Sequence, residues 1–470
     1  MSTRRGGRDL APSARRWPTS GRRLAVPGTV LALVLLAGCD HDPPPDDVDT
    51  DAGTDVADPE ETEDESRTAA PVSGRDDAGV SDEACPDALD DELGCIHLGS
   101  LVDRSGDPSS TYSDELLEGQ RGFWARVNDD GGVGGHEIQL DDHVRDVTDD
   151  ADEQVAAAEE LLDEVLAFAT MPGDATSEEL VDALRRDGAV GAMPGWWSGW
   201  HAEEHHQAIL LPADHSHCLA AAAGLDWYAA AIEAPVSVLG IAPAGRRADD
   251  IEDGAAAWAQ ATDADWLGLT ETATLAEGDL QDAAVQAIRE QTPAVVVLGT
   301  APPETAELVS KAAAHGFEGT FLGVVGTWDP GLLDDAEQAQ ALQALYLHVG
   351  PWDDLQATPV GAAITEARGD QALSAGYLDG WLSSYPLLAA LQAAADRDEL
   401  TRSGLQAALD GLEVDDEGAL PSSEVVGVPE PRVVISAPDR ESAWGLSSAG
   451  LGVHGVDAER FDHPADCAGP

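Results

Sequence analysis

The stretch "RVNDDGGVGGHEIQL", residues 126–140, decides the fold. A helical run ends in it, four glycines follow within five positions (Gly131, Gly132, Gly134, Gly135), and Ile138 and Leu140 then open an alternating strand. Glycine reaches the left-handed backbone that a tight helix exit requires, and period-two apolar spacing is the mark of a half-buried strand. Upstream, "YSDELLEGQRGFWARVNDD" sets Leu116, Leu117, Gln120, Phe123, Trp124 and Val127 at helical spacing. Before it, "CIHLGSLV" is a short apolar strand. The stretch therefore closes a strand–helix–strand unit, and such units pair their strands in parallel through right-handed crossovers.

The rhythm runs on in both directions. "HEIQLDDHV" is the second strand, "DADEQVAAAEELLDEVL" an amphipathic helix, "DGAVGAMPG" the third strand, "HAEEHHQ" the start of a helix and "AILLPAD" the fourth strand. After "GLDWYAAAIE" it restarts, with strands at "APVSVLGIAP", "DWLGLTETAT", "PAVVVLGTA" and "GTFLGVVG". Helices at "ADDIEDGAAAWAQA", "DLQDAAVQAIREQ" and "PETAELVSKAAAHG" separate them. Two runs, 95 to about 225 and about 232 to 345, predict two similar α/β lobes, each with a central parallel sheet. Ligands of such sheets sit off the carboxyl ends of the strands. Here those are the loops at 99–106, 194–200, 212–217, 300–303 and 325–329.

The chain has 470 residues, with 90 Asp plus Glu against 25 Lys plus Arg and a formal net charge of −65; Lys311 is its one lysine. Such a surface repels phosphate backbones and anionic headgroups, which excludes nucleic-acid binding and polybasic membrane association. The excess is spread along the chain, so a working environment of high salt is expected, where the Debye length falls to about 3 Å near 1 M.

Residues 1–38 read as an export signal: Arg15, Arg16, Arg22 and Arg23 precede the apolar run "LAVPGTVLALVLL", which is short for a membrane span. The junction "LAGC" resembles a bacterial lipobox, which implies lipidation of Cys39 and a lipid-anchored protein on the outer face of the cytoplasmic membrane. Residues 40–84 hold 17 acidic residues and few large apolar ones, a composition that stays extended, so 39–84 is expected to be a disordered acidic tether. Cys85, Cys95, Cys218 and Cys467 remain, and an exported chain with four cysteines permits two disulfides in three connectivities. The nearest pair, Cys85 with Cys95, is the first expectation, contributing about 3 kcal/mol by loop closure. Cys218 with Cys467 would follow.

In the order of "IHLGSLVDRSG", "LLEGQRGFWARVNDDGGVGGHEIQL", "AVGAMPGWWSGW", "AILLPAD", "AVVVLGTAPPETAELVSKAAAHGF", "GTFLGVV" and "SAGYLDGWLSSYPLLAALQAAA", the chain resembles the type I solute-binding proteins of ABC importers, within them the leucine/isoleucine/valine-binding family. The resemblance spans 95 to about 435. It implies two Rossmann-like lobes joined by a three-segment hinge that closes on a small organic solute, such as an amino acid or amide. It also implies a membrane permease as partner and no cofactor. The first lobe would be 95–230 plus about 346–420, the second 232–345 plus about 421–436, and 437–470 a C-terminal extension.

Amino-acid binders of that family hold the carboxylate with hydroxyls and amides after the third and fourth strands, which places Ser198 and Ser216 here, and Asp214 is a further ligand-binding candidate. Where they carry an aromatic in the second lobe this chain has Ala301, and where they carry an acid for the ammonium it has Val325, with Asp329 four residues on. Aromatic residues stand in their place: Trp196, Trp197 and Trp200 share a loop at the expected cleft mouth, with Trp328 opposite. They read either as ligand contacts for an apolar or cationic solute or as cover over the sheet end.

His201, His205, His206, His215 and His217 lie within 17 residues. His201 and His205 have the i, i+4 spacing of zinc ligands, and His215 and His217 are further candidates, but H-A-E-E-H is not the metallopeptidase pattern. Capping and hinge roles are the ordinary account of these residues, and no metal is assigned. No phosphate-binding loop and no G-x-S-x-G elbow appears between a strand and a helix, so the chain is not read as an enzyme. The alternatives are a ligand-sensing lipoprotein without transport, a metal-binding protein, or a hydrolase on the same scaffold.

Overall fold

The computed structural model describes residues 75–104, 109–202, 209–232, 236–272, 278–352, 355, 358–369, 373–419, 432–455 and 467. The export signal and Cys39 lie outside them.

The first sheet is built on one long strand, β2 (Gly94–Asp103), buried along nearly its whole length as strands of parallel sheets are. On one edge its first half pairs with β3 (His136–Gln139) and its second half with β4 (Val144–Val147). On the other edge it pairs with β1 (Val80–Ser81), antiparallel, and β5 (Ala167–Thr170), and the sheet continues through β6 (Gly191–Met193) to β7 (Leu210–Pro212). The run "HEIQLDDHV", expected as one strand, is β3, a 3₁₀ turn and the start of β4. The glycine turn behaves as its composition requires: Gly131, Gly132, Gly134 and Gly135 all have positive φ, between 56° and 102°.

Helix α1 (Ser109–Asp129) follows β2, α2 (Ala151–Leu161) follows β4, α3 (Glu178–Asp187) follows β5, and a single turn, α4 (Gly199–Ala202), follows β6. α3 has a complete set of local signals: Ser177 caps it by accepting from Leu180 N, Arg185 and Arg186 occupy its last turn, and Gly188 closes it at φ 68°.

The second sheet runs β14 (Leu446–Gly455), β13 (Arg432–Pro438), β12 (Tyr346–Gly350), β11 (Thr320–Gly323), β10 (Val295–Leu298), β8 (Ser237–Pro243), β9 (Asp265–Thr272). It is parallel except for the β12–β13 and β13–β14 pairs. Its helices are α5 (His217–Ile232), α6 (Arg246–Thr262), α7 (Gly278–Gln291), α8 (Pro302–Ala314) and α9 (Ala336–Leu345).

The chain passes between the lobes three times. It leaves β7 for α5, whose Cys218, Leu219 and Leu225 pack with Val236, Val238 and Trp258. It returns after β12 to α10 (Pro359–Arg368), α11 (Ala375–Leu382), α12 (Tyr385–Ala395) and α13 (Arg402–Leu409). Leu378, Trp381, Tyr385 and Leu391 of these helices share a core with Ile96, Leu98 and Phe123. It then crosses back to β13.

Three expected boundaries move as a result. α5 belongs to the second lobe because its apolar faces are buried there, and β12 is a strand of the second sheet rather than the start of the first lobe's return. Residues 446–455 are no extension, since β14 pairs along β13. The tether is shorter than expected, because 75–84 are already docked: Arg75 pairs with Asp163 and Asp187, and Asp76 accepts from Ser403. The disulfides are Cys85–Cys95 and Cys218–Cys467, with Cα atoms 4.9 and 5.8 Å apart.

α1 and α11 meet at backbone distance. A Cβ on Gly119 would lie 2.0 Å from the Tyr377 carbonyl oxygen, and one on Gly380 would lie 2.0 Å from that of Leu116. This close crossing holds the first turns of both helices side by side at one end of the first sheet.

Candidate functional site

Those first turns face a cavity of about 490 Å³ between the lobes, within the usual range for a small-molecule site. From the first lobe it takes the end of β2, Tyr112 and Glu115 of α1, residues 170–175 after β5, and Trp196. From the second it takes Arg247 at the start of α6, Ala301 to Pro303 at the start of α8, and Asp329 with Leu332 after β11. Ala375 and Gly376 of α11 complete it. All lie at carboxyl ends of strands or amino ends of helices, where open α/β sheets bind ligands.

Trp196 is 8% exposed and forms part of the wall, tilted against Tyr112 with ring centroids 6.2 Å apart. Both rings hang on acids, one buried and one partly buried: the Trp196 indole N–H donates to Asp214 at 2.8 Å and the Tyr112 hydroxyl to Asp379 at 2.9 Å. Burial pushes Asp379 up to about 7, with Tyr112 opposing and Asp329 adding to the rise. Asp214, buried and facing Asp379, is raised well above the ordinary carboxyl range.

The remaining tryptophans have other surroundings. Trp200 is fully buried in the first lobe's second core and packs edge-on against Trp197 at 4.7 Å. Trp197 carries the Arg246 guanidinium over its ring at 4.2 Å, a contact between lobes. Trp328 stacks on Tyr346 and donates to the Trp444 carbonyl, and it lies behind the cavity rather than on it. Ala301 lines the cavity as the residue before α8.

Of the serines, Ser216 accepts from Leu219 N at the start of α5, and Ser198 joins three segments. Its amide donates to Asp250, and its hydroxyl stands 2.6 Å from both Asp250 Oδ1 and the Cys467 carbonyl. One hydroxyl proton cannot serve both acceptors. Burial holds Asp250 up at about 8, so near neutral pH it carries a proton for the Ser198 oxygen, and Ser198 donates onward to Cys467.

Four groups of the site carry no signal in the sequence reading: Tyr112, Glu115, Asp174 and Arg247. Asp174 accepts from Arg247 at 3.3 Å and lies 3.4 Å from His217 Nε2. Burial alone would raise it, but His217 and Arg247 together hold it at about 2. Arg246 adds donations to the Asp174 and Thr176 carbonyls at 3.0 and 2.7 Å. Both arginines belong to the second lobe and both partners to the first.

The histidines are separated by these roles. The His201 ring bonds to the Gly195 carbonyl, His215 is buried, and Cys218 is in a disulfide; His205 lies outside the described residues. Among the described residues no three metal-ligating side chains converge. No helix among them is long and apolar enough to cross a membrane.

The profile of the periplasmic binding protein family matches residues 95–426, most of both lobes. The chain belongs to that family. Solved structures described as solute- or substrate-binding proteins of ABC transporters carry the same fold. A fatty acid ABC transporter substrate-binding protein from Thermomonospora curvata superposes with a TM-score of 0.65 at 20% identity, over 78% of this chain and 92% of that one. A solute-binding protein of an ABC transporter from R. palustris, in complex with benzoate, gives 0.62 at 14% identity, over 78% and 99%. A branched chain amino acid ABC transporter protein from Thermus thermophilus, with bound valine, gives 0.63 at 15%, over 75% and 94%. No curated protein sequence matches the chain.

Proposed function

We propose that this periplasmic binding protein is the lipid-anchored capture component of an ABC importer, holding a small organic solute between its lobes and presenting it to a membrane permease. The observation that carries the reading is the cavity whose wall is shared by the lobes, with Arg246 and Arg247 of one clasping Asp174 and Thr176 of the other. A solute touching both walls binds only when they are together, and so shifts the population toward closure. The neighbours solved with valine and benzoate support a small solute. The lipobox-like "LAGC" supports an anchor at Cys39, and Asp214 holds the Trp196 ring of the cavity wall from behind.

Trp196 supplies the readout. A true solute should change tryptophan fluorescence and reduce the radius of gyration in small-angle scattering, and uptake should require a permease. Cys39→Ala should release the protein from the membrane fraction. Binding without change in shape, or turnover of the bound solute, would remove the transport reading.

A further inference from the structure

We infer that the cavity selects an organic cation with an apolar body, in contrast to carboxylate ligands; this deepens the capture reading and rests on it. Four carboxylates line the cavity, Asp103, Glu115, Asp174 and Asp329, against one guanidinium, Arg247. That guanidinium is already committed, to Asp174 and to the Gly299 carbonyl at 3.2 Å. Its charge is thus already offset by Asp174, which an arriving carboxylate would have to compete with for it.

The start of α8, which also lines the cavity, provides no substitute. A helix N-terminus binds anions through its free amides and its dipole. Here the first two positions are Pro302 and Pro303, which have no N–H, and the Ala301 amide donates to Glu304 Oε2 at 3.2 Å. The Ala375 amide at the start of α11 is likewise taken, donating to Asp329 Oδ2 at 3.1 Å.

The opposite pole is anionic. Glu115 of α1 and Asp329 stand around the start of α11, close enough that the Asp329 charge acts on Glu115. Burial pushes the Glu115 carboxyl up, the Ser374 hydrogen bond opposes this, Asp329 adds to the rise, and Arg368, itself paired with Glu118, opposes it. A cation seated there relieves both carboxylates, while an anion would add a third like charge. Because these groups are partly withdrawn from solvent, salt screens them less than it screens the acidic surface. Between the poles the wall is apolar, with Leu116, Met171, Pro172, Pro194 and Leu332, and the Tyr112 and Trp196 rings suit a cation's hydrocarbon face.

The test is calorimetry in high salt with aryl- and alkylammonium ions, each beside its alcohol and carboxylate analogue, for example phenethylammonium, phenethyl alcohol and phenylacetate. The expected order is ammonium over alcohol over carboxylate. Glu115→Gln and Asp329→Asn should each weaken the ammonium at least 10-fold while leaving the alcohol's affinity within about 2-fold, which shows the cavity is intact. A carboxylate that binds as tightly as its ammonium analogue, an ammonium no better than its alcohol, or failure of the whole ammonium series overturns the assignment. Whether capture falls with it is read separately: a bound carboxylate or alcohol that closes the lobes leaves the capture reading standing, and an inert set of all three series removes both.

Discussion

Arg247, from the second lobe, donates to the Asp174 carboxylate of the first across 3.3 Å, and both residues line the interlobe cavity. Asp174 is held at about 2, so its contribution is present above the unfolded value near 3.8 and is lost as pH falls through about 2. The shift corresponds to roughly 2 kcal/mol. Asp174→Asn should therefore lower the melting temperature at pH 6 and match wild type near pH 2. Parallel curves across that window would show that the pair contributes nothing.

Asp250 has the opposite sign. Its folded value of about 8 lies above the unfolded one, so the folded state keeps a proton that the unfolded chain has lost, and stability from this site falls as pH rises from about 4 to about 8. Asp250→Asn, which keeps an acceptor for the Ser198 amide, should melt higher relative to wild type at pH 9 than at pH 5. Differential scanning calorimetry at the two pH values decides it.

Cys218–Cys467 closes a separation of 249 residues and holds Cys467 against Ser198. Loop-closure arithmetic allows about 5 kcal/mol for a loop of that size. Cys467→Ser should lower the melting temperature by several degrees without reductant and leave it insensitive to added reductant at this bond. Equal melting of variant and wild type under oxidising conditions would count against it.

At a net charge of −65, self-repulsion weakens the compact state when ionic strength is low. Between about 0.05 M and 2 M salt, where screening collapses from beyond 10 Å to a few ångströms, the melting temperature should rise. A flat response would separate the acidic composition from folding.

The elements with local signals were legible in the sequence. The glycine turn at 131–135 and the helices bearing wide apolar stripes stand where their spacing predicts. β5 was not legible, because it is four residues, "AFAT", buried on both faces and therefore without alternation. α3 carries ordinary capping and charge signals, but with no strand placed before it, it has no unit to belong to. The cost falls on the site, since Asp174 sits in the loop between them. Its partner Arg247 is 73 residues away, and nothing local in either segment records the pairing.

The tryptophan loop shows a finer limit. Trp196, Trp197 and Trp200 look equivalent in sequence, yet the short turn at 199–202 rotates Trp200 into the core, leaves Trp197 under Arg246 and gives Trp196 alone to the cavity. Composition identifies an aromatic loop, and only the backbone path decides which ring faces the solute.

The Cys85–Cys95 bond has a mechanical meaning. A pull on the N-terminal chain first loads the ion pairs of Arg75, then the hydrogen bonds of Asp76 and the two residue pairs of β1. These can unzip one after another, but at Cys85 the peeling meets a covalent stop on β2, the strand with neighbours on both edges in the middle of the first sheet. Under load the docked segment can thus be stripped only as far as Cys85, where the bond fixes the chain to β2.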